Sequence, residues 1–503
     1  VSATERATPE AAAAGPALGG RALRGAAVVL TGQGLKIALQ VLSVVVLSRL
    51  LLPRDYGLVA MVTAVIGIAD IFRDLGLSTA AIQARVLTAG QRANLFWINT
   101  AVGLLLGLAA LAAAPLLAAA YGHPELEAIC RVLAVIFVLN GLATQYRADL
   151  TRHLRFGWLT AADVVAALGG FGAALVLALA GAGYWALVGQ QVTQYVLMLS
   201  LVAVAGRWRP TRPDRDEDMD GLLRFGWHMV GTQLIGYVAN NADSVVIGAR
   251  FGAGPLGLYN RAFQLLMTPL GQIRSPSTQV ALPVLSAVQD DDERLAHYAG
   301  RGQLAMGYTL IAGLGVVVGA APHLVAVLLG EQWQEATPLL ALFALAGALQ
   351  TLGYVNYWVY LARGLTGALL RYSLVQASIK ITCILVGSHW GVVGVAAGYA
   401  LAPALSWPVS FWWLSRATSL PMRPLVASAG RVLVVLGVVT AGSGGAGRLV
   451  AEGSPWLALG AAVAGGLAAY GLTCSLVPAL RRDCAVVLAV VRRGVSRPRS
   501  PRP

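Results

Sequence analysis

Apolar stretches about as long as a bilayer is thick recur along nearly the whole chain, separated by short polar turns. A helix needs about 20 mostly apolar residues to cross the hydrocarbon core. By that measure about fourteen spans are predicted. They lie near 26–51, 57–78, 93–118, 126–146, 158–180, 184–206, 224–249, 258–283, 302–329, 335–362, 370–388, 391–414, 425–446 and 455–477. Pro322 interrupts the ninth, which predicts a shorter span with an amphipathic end. The turns between spans leave no room for a soluble domain. The expected fold is an all-α polytopic membrane protein.

Polar residues within three spans fall at helical spacing. Gln33, Lys36, Gln40 and Ser43 share one face of the first span. Gln233, Tyr237, Asn240 and Ser244 share one face of the seventh, with Asn241 and Asp243 beside it. Ser373, Gln376, Lys380 and Cys383 share one face of the eleventh. Steps of three and four residues make continuous stripes, and a polar stripe on an apolar span predicts a water-filled interior.

The pattern also repeats. LSRLLLPRDYGLVAM (Leu47–Met61) and IGARFGAGPLGLYNRAF (Ile247–Phe263) follow one plan. An apolar helix ends at an Arg (Arg49, Arg250), a Pro/Gly turn follows, and Gly-Leu opens a second helix that closes near another Arg (Arg73, Arg274). The match continues from LAVIFVLNGL (Leu133–Leu142) to LALFALAGAL (Leu340–Leu349). The expected organisation is a tail over 1–24 and an N-lobe of six spans over 25–206. A charged, Pro-containing linker over 207–221 leads to a C-lobe of six spans over 222–418. Two extra spans over 419–480 and a basic tail over 481–503 complete it. Six spans per copy make parallel repeats, related by an axis along the membrane normal. Such bundles are a common build of transporters that alternate access to a midplane site.

Composition agrees. Charged residues make up 12% of the chain and hydrophobic ones 57%, too little charge to cover a soluble surface. The net charge of +14 is read as topological. With the N-terminus inside, most of the 37 basic residues fall in cytoplasmic segments, whereas the outer loops hold Arg54, Arg250 and Arg448. Both termini are therefore expected in the cytoplasm, the basic tail facing anionic lipid rather than nucleic acid. The four cysteines show no CxxC pair, and the six histidines are isolated. No metal site, cofactor or catalytic signature is read. The expectation is a protein that is not an enzyme.

Several segments in order, LSRLLLPRDYGLVAM, LRFGW (Leu223–Trp227), Asn241-x-Asp243 with Ile247-Gly248, LGLYNRAFQL (Leu256–Leu265), LPVLS (Leu282–Ser286) and LLGEQW (Leu328–Trp333), resemble a known pattern. It is that of the polysaccharide flippases of the multidrug/oligosaccharidyl-lipid/polysaccharide exporter superfamily, above all the Wzx-type, colanic- and teichuronic-acid branch. The resemblance spans residues 24 to 420. It implies a transporter in the cytoplasmic (inner) membrane that flips an undecaprenyl-pyrophosphate-linked oligosaccharide from inner to outer leaflet by alternating access. Glycosyltransferases and a polymerase of the same pathway would be its neighbours. A drug exporter or peptidoglycan-precursor flippase of the same superfamily is the alternative. A membrane glycan polymerase or ligase would need larger external loops, and a scaffold would not need polar stripes.

The residue readings remain open in kind. Lys36 and Lys380 are the only two lysines, both inside spans. Either they attract the pyrophosphate and acidic sugars, or each pairs with an acid such as Asp163 or Asp243. Gln33, Gln40, Gln233, Asn240, Asn241 and Gln376 would line the same cavity. Arg49, Arg250 and Arg261 are candidates for phosphate, with interfacial snorkelling the alternative for the first two; Arg73 and Arg274, at the matching inner ends, carry the same pair of readings. Asp243, Asp70 and Asp163 are candidates for coupling to H⁺ or Na⁺, with pairing to a neighbouring cation the alternative.

Overall fold

The computed structural model describes residues 31–74, 87–206, 208–214, 216–217, 219, 237, 240–450 and 453–495. Every regular element among them is helical. The chain forms two compact units, Val1–Asn241 and Ala242–Pro503.

In the first unit α1 (Thr31–Leu50) meets α2 (Pro53–Asp74) at a tight corner. Pro53 opens α2, where a missing N–H costs nothing, and the Asp55 carboxylate accepts the Leu52 N–H at 2.9 Å. α3 (Ala89–Tyr121) starts with a capping box, Thr88 and Gln91 each satisfying the other's backbone N–H. It stops at Gly122, whose φ of +69° favours glycine, and whose N–H reaches back to the last turn. α4 (Glu125–Leu133) and α5 (Val135–Arg152) run on with a step at Ala134, and α6 (Phe156–Leu179) and α7 (Trp185–Gly206) complete the unit. Glycines set the closest seams. A Cβ on Gly103 would lie 2.6 Å from the Phe137 carbonyl oxygen, and one on Gly141 2.6 Å from that of Asn99, so α3 and α5 touch backbone to backbone.

The described part of the expected linker is folded onto this unit. Trp208 enters an aromatic cluster with Phe96 and Tyr146, and the Arg92 guanidinium lies 4.7 Å from its ring centroid. The Asn94 side chain bonds both backbone groups of Asp214, at 2.6 and 2.8 Å, and Trp97 Nε1 donates to the Thr211 carbonyl at 2.8 Å.

The second unit takes in most of α8 (240–251) and then α9 (Ala253–Ser286). α10 (Asp292–Met306) and α11 (Ala312–Leu328) are joined by a single widened turn at Gly307–Ile311. The interruption in this ninth span is therefore that turn and not Pro322, which sits within α11; α10 supplies the amphipathic end on the other side. A short 3₁₀ turn (Glu331–Ala336) leads to α12 (Thr337–Ala362), followed by α13 (Thr366–Gly387) and α14 (Gly391–Ala417). A Cβ on Gly398 would run into the Cys383 carbonyl oxygen, so α13 and α14 touch backbone to backbone, as α6 and α7 do at Gly170. α15 (Met422–Leu449) and α16 (Pro455–Leu476) occupy the two extra spans. α15 lies between α11 and α16, with Gly319 against the Thr440 carbonyl on one side and Gly465 against Gly442 on the other. Residues expected only as a basic tail continue as a helix, α17 (Pro478–Val495).

Ten segments of the described residues are long and apolar enough to cross a membrane. One of them, Gly367–Ala417, carries both α13 and α14. α2 and α9 are helical where spans two and eight are expected but fall outside that set. The fold is thus an all-α membrane bundle, and fourteen remains the count expected from the sequence. Large apolar side chains on α3, such as Leu105 and Leu116, stand exposed as a lipid-facing surface requires.

Candidate functional site

Each unit carries a polar seam. In the first, α1, α5 and α6 converge on one carboxylate. Lys36 Nζ donates to Asp163 Oδ2 at 3.1 Å, and Arg147 donates to Asp163 Oδ1 at 3.4 Å. One acid against two cations leaves an excess positive charge. Farther along α1, Gln190 of α7 donates to the Ser43 hydroxyl at 3.1 Å. The polar stripe of α1 thus meets polar partners on α6 and α7, and Gln33 and Gln40 also take part in polar contacts. Arg49 stands exposed at the end of α1.

In the second unit the seam is aromatic as well as charged. Asp243 on α8 is buried; it accepts from the Tyr259 hydroxyl at 2.7 Å and from the Ser244 N–H at 2.8 Å. Lys380 on α13 interacts electrostatically with Asp243, and its ammonium lies 4.8 Å from the ring centroid of Tyr399 on α14. Phe343 of α12 packs edge-on against both Tyr259 and Tyr399, which fixes the two rings. Gln350 of α12 donates to the Tyr399 hydroxyl at 3.4 Å. Its other amide atom accepts two bonds from Arg274 of α9, at 3.3 and 3.4 Å. Arg274 is 9% exposed, and its guanidinium faces the Tyr354 ring at 5.8 Å. No carboxylate among the described residues bonds it, and its Nε lacks a hydrogen-bond partner there. Among the described residues this buried guanidinium is held by neutral groups, which leaves its charge uncompensated there.

The sequence candidates distribute as follows. Lys36 and Asp163 meet directly, and Lys380 and Asp243 interact through space. Lys36 is thus in an ion pair with an acid, whereas Lys380 and Asp243 share an electrostatic interaction. Arg261 is buried and donates to Gln264 at 3.4 Å. Arg250 is tied to the Ser388 hydroxyl at the corner before α14. Asn241 bonds the backbone of its own helix at Tyr237, and Asn240 and Gln376 stand exposed. Gln233 and the side chain of Asp70 lie outside the described residues. Arg147, Gln350 and Tyr399 were not among the candidates. Arg147 sits one helical stretch from the polar stripes, and Gln350 is one of two amides in an apolar span, with partners 76 and 49 residues away. The usable signal was the i, i+4 pair of Gln350 and Tyr354 on one helix face.

Comparison with known proteins gives a consistent result. The profile of a family described as "Polysaccharide biosynthesis protein" matches residues 46–338. The lipopolysaccharide biosynthesis protein WzxC of Escherichia coli (strain K12) is 25% identical over 398 residues, covering 77% of this chain and 78% of the relative. The succinoglycan biosynthesis transport protein ExoT of Rhizobium meliloti (strain 1021) is 26% identical over 384 residues, covering 70% and 76%. Among solved structures, the lipid II flippase MurJ in an inward closed conformation superposes with a TM-score of 0.70 at 11% identity, over 90% of this chain and 99% of that one. At that identity the likeness speaks for the fold alone.

Proposed function

The chain belongs to the polysaccharide biosynthesis protein family, and from that premise we propose that it moves an undecaprenyl-pyrophosphate-linked oligosaccharide from the inner to the outer leaflet of the cytoplasmic membrane. The observation that carries the reading is Arg274, a buried cation bonded to no acid among the described residues, framed by Gln350, Tyr354 and Tyr399. A guanidinium binds a pyrophosphate through paired N–H donors, and aromatic rings beside it suit sugar faces. Lys380 adds positive charge to the same seam, and Lys36 and Arg147 form a second cationic seam within the first unit. The glycan head would travel past these cations while the lipid tail stays in the bilayer. Access would alternate between the two sides. Asp243 and Asp163, each already facing a cation, are the carboxylates through which an H⁺ or Na⁺ gradient would act. Enzymes that assemble and polymerise the glycan would supply and consume the substrate.

Translocation of a fluorescent lipid-linked oligosaccharide in reconstituted vesicles tests the reading. Arg274→Gln should lower the initial rate at least about tenfold, the loss expected when a charge-assisted contact of about 1.5–3 kcal/mol disappears. Abundance should hold, because no acid is left unpaired. Arg274→Lys should keep part of the rate. Wild-type rate in Arg274→Gln at normal abundance would overturn the role of this residue. Absence of transport by the wild-type protein, with or without H⁺ and Na⁺ gradients, would overturn the function.

A further inference from the structure

Beyond the transport seams, one polar node stands at the C-terminal corner. Tyr308, in the widened turn between α10 and α11, donates to Asp483 Oδ2 of α17 at 3.1 Å. Arg431 of α15 grips the same carboxylate with two bonds, at 2.6 and 3.2 Å. Tyr470 of α16 donates to the Tyr308 carbonyl at 3.1 Å. Asp483 is buried, and Leu480 and Val487 are buried on the same face of α17, so this helix is docked through a defined surface. Arg481 and Arg482 point away from it and are exposed.

Docking brings together two of the chain's four cysteines. Cys474 lies in the last turns of α16, and Cys484 in the second turn of α17, beside Asp483. Cys474 and Cys484 neighbour each other and the hydroxyl of Tyr470, which sits one turn before Cys474, while Cys484 follows the Asp483 carboxylate that Tyr308 and Arg431 hold. Both are free and half-buried. The other two cysteines, Cys130 in α4 and Cys383 in α13, lie on separate helices in different units. The contact is made across a sharp helix–helix corner at Val477, held by the Val477 N–H to the Thr473 carbonyl and the Arg481 N–H to the Val477 carbonyl. Four side chains, one from the widened turn and one each from α15, α16 and α17, hold this corner in register. A thiol pair so placed has a high effective concentration for one another.

We propose that Cys474 and Cys484 form a redox-closable clasp that covalently locks α17 onto α16. The oxidant is a small-molecule disulfide. One cysteine thiolate attacks it, forming a mixed disulfide and releasing one small thiolate. The second cysteine attacks the mixed disulfide at the first cysteine's sulfur and releases the other small thiolate. One S–S bond breaks, one forms, and the two protons lost by the protein end on the two released thiols. On the cytoplasmic placement expected from the charge pattern, the clasp rests open and closes under oxidising challenge. The proposal is independent of the substrate: it stands or falls on the thiol chemistry and not on transport.

The test uses the full-length protein in detergent micelles with Cys130 and Cys383 replaced by Ser. It is incubated with glutathione disulfide, unfolded in dodecyl sulfate, and treated with a maleimide-linked polyethylene glycol. The untreated protein should gain two polymer additions on a gel. The oxidised protein should gain none, run as a monomer, weigh two hydrogens less by intact mass, and recover both additions with dithiothreitol. Adding Cys474→Ser or Cys484→Ser should leave the remaining thiol open to a glutathione adduct without an internal bond. Two polymer additions surviving oxidation would overturn the clasp. So would stable glutathione adducts on both cysteines, or disulfide-linked dimers in place of the monomer. If the paired serine substitutions prevent purification, mapping of disulfide-linked peptides from the oxidised wild-type protein decides, and absence of the Cys474–Cys484 peptide would count against it.

Discussion

The ion pair between Lys36 and Asp163 shows how much of a site one sequence reveals. Lys36 drew notice because lysine is nearly missing from the chain, and Asp163 was one of its two foreseen partners. Arg147 as a second partner was not legible, since only the packing of α5 against α6 aims it at the same carboxylate. That third member decides the mutational signs. In Lys36→Gln, Asp163 keeps Arg147, and the lost contact involves a side chain 37% exposed, so the stability cost should be about 1 kcal/mol or less. In Asp163→Asn, two cations face each other with no acid between them, and the loss should be larger. Membrane-fraction immunoblots and thermal unfolding in detergent should therefore rank the variants wild type, Lys36→Gln, Asp163→Asn. Equal abundance of the two single variants would argue against the shared carboxylate. Arg274 and Gln350 were harder to read for a related reason: an arginine near a helix end looks like an interfacial anchor until the fold buries it.

Among the elements, hydropathy located the apolar helices, because a bilayer demands nearly continuous apolar sequence. It gave no purchase on α17, whose arginines read as a tail, or on the linker, whose contacts come from Asn94, Trp97 and Trp208 rather than from apolar periodicity. Asn94→Ala should release the linker: two bonds to Asp214 are lost at once, each worth about 1 kcal/mol. Trypsin should then cut among Arg207, Arg209, Arg212 and Arg215 several-fold faster, with unchanged cutting elsewhere; an unchanged rate would show that Trp208 alone holds the segment. Helix seams respond to volume in the same graded way. Gly398→Ala would press a methyl against the Cys383 carbonyl and should cost about 1–3 kcal/mol. Gly313→Ala meets nothing within 4 Å and should be neutral or stabilising by up to about 1 kcal/mol. Melting temperatures of the two proteins in the same detergent check the contrast, and a drop of equal size in both would remove the backbone-contact explanation for Gly398.

On the scale of the whole molecule, α3 turns a charge argument into a geometric one. Its 33 residues rise about 50 Å, well beyond the roughly 30 Å hydrocarbon core. The linker is fastened to the first turns of this helix through Thr88, Asn94 and Trp97. His123 follows its last turn, just past the Gly122 cap. A membrane crossed by α3 would therefore separate the linker from His123, whatever the total number of spans. The expected sides follow from the positive-inside bias: Arg207, Arg209, Arg212 and Arg215 would place the linker in the cytoplasm. Single cysteines at Thr211 and His123, in a protein with its four native cysteines replaced, should behave oppositely toward an impermeant maleimide applied to intact cells. His123→Cys should label, and Thr211→Cys should label only after the membrane is opened. Labelling of both from outside would contradict the path of α3, because one helix of this length cannot keep both ends on one side while crossing the core. Labelling of Thr211→Cys alone would preserve that path and invert the molecule, and with it the direction assigned to transport.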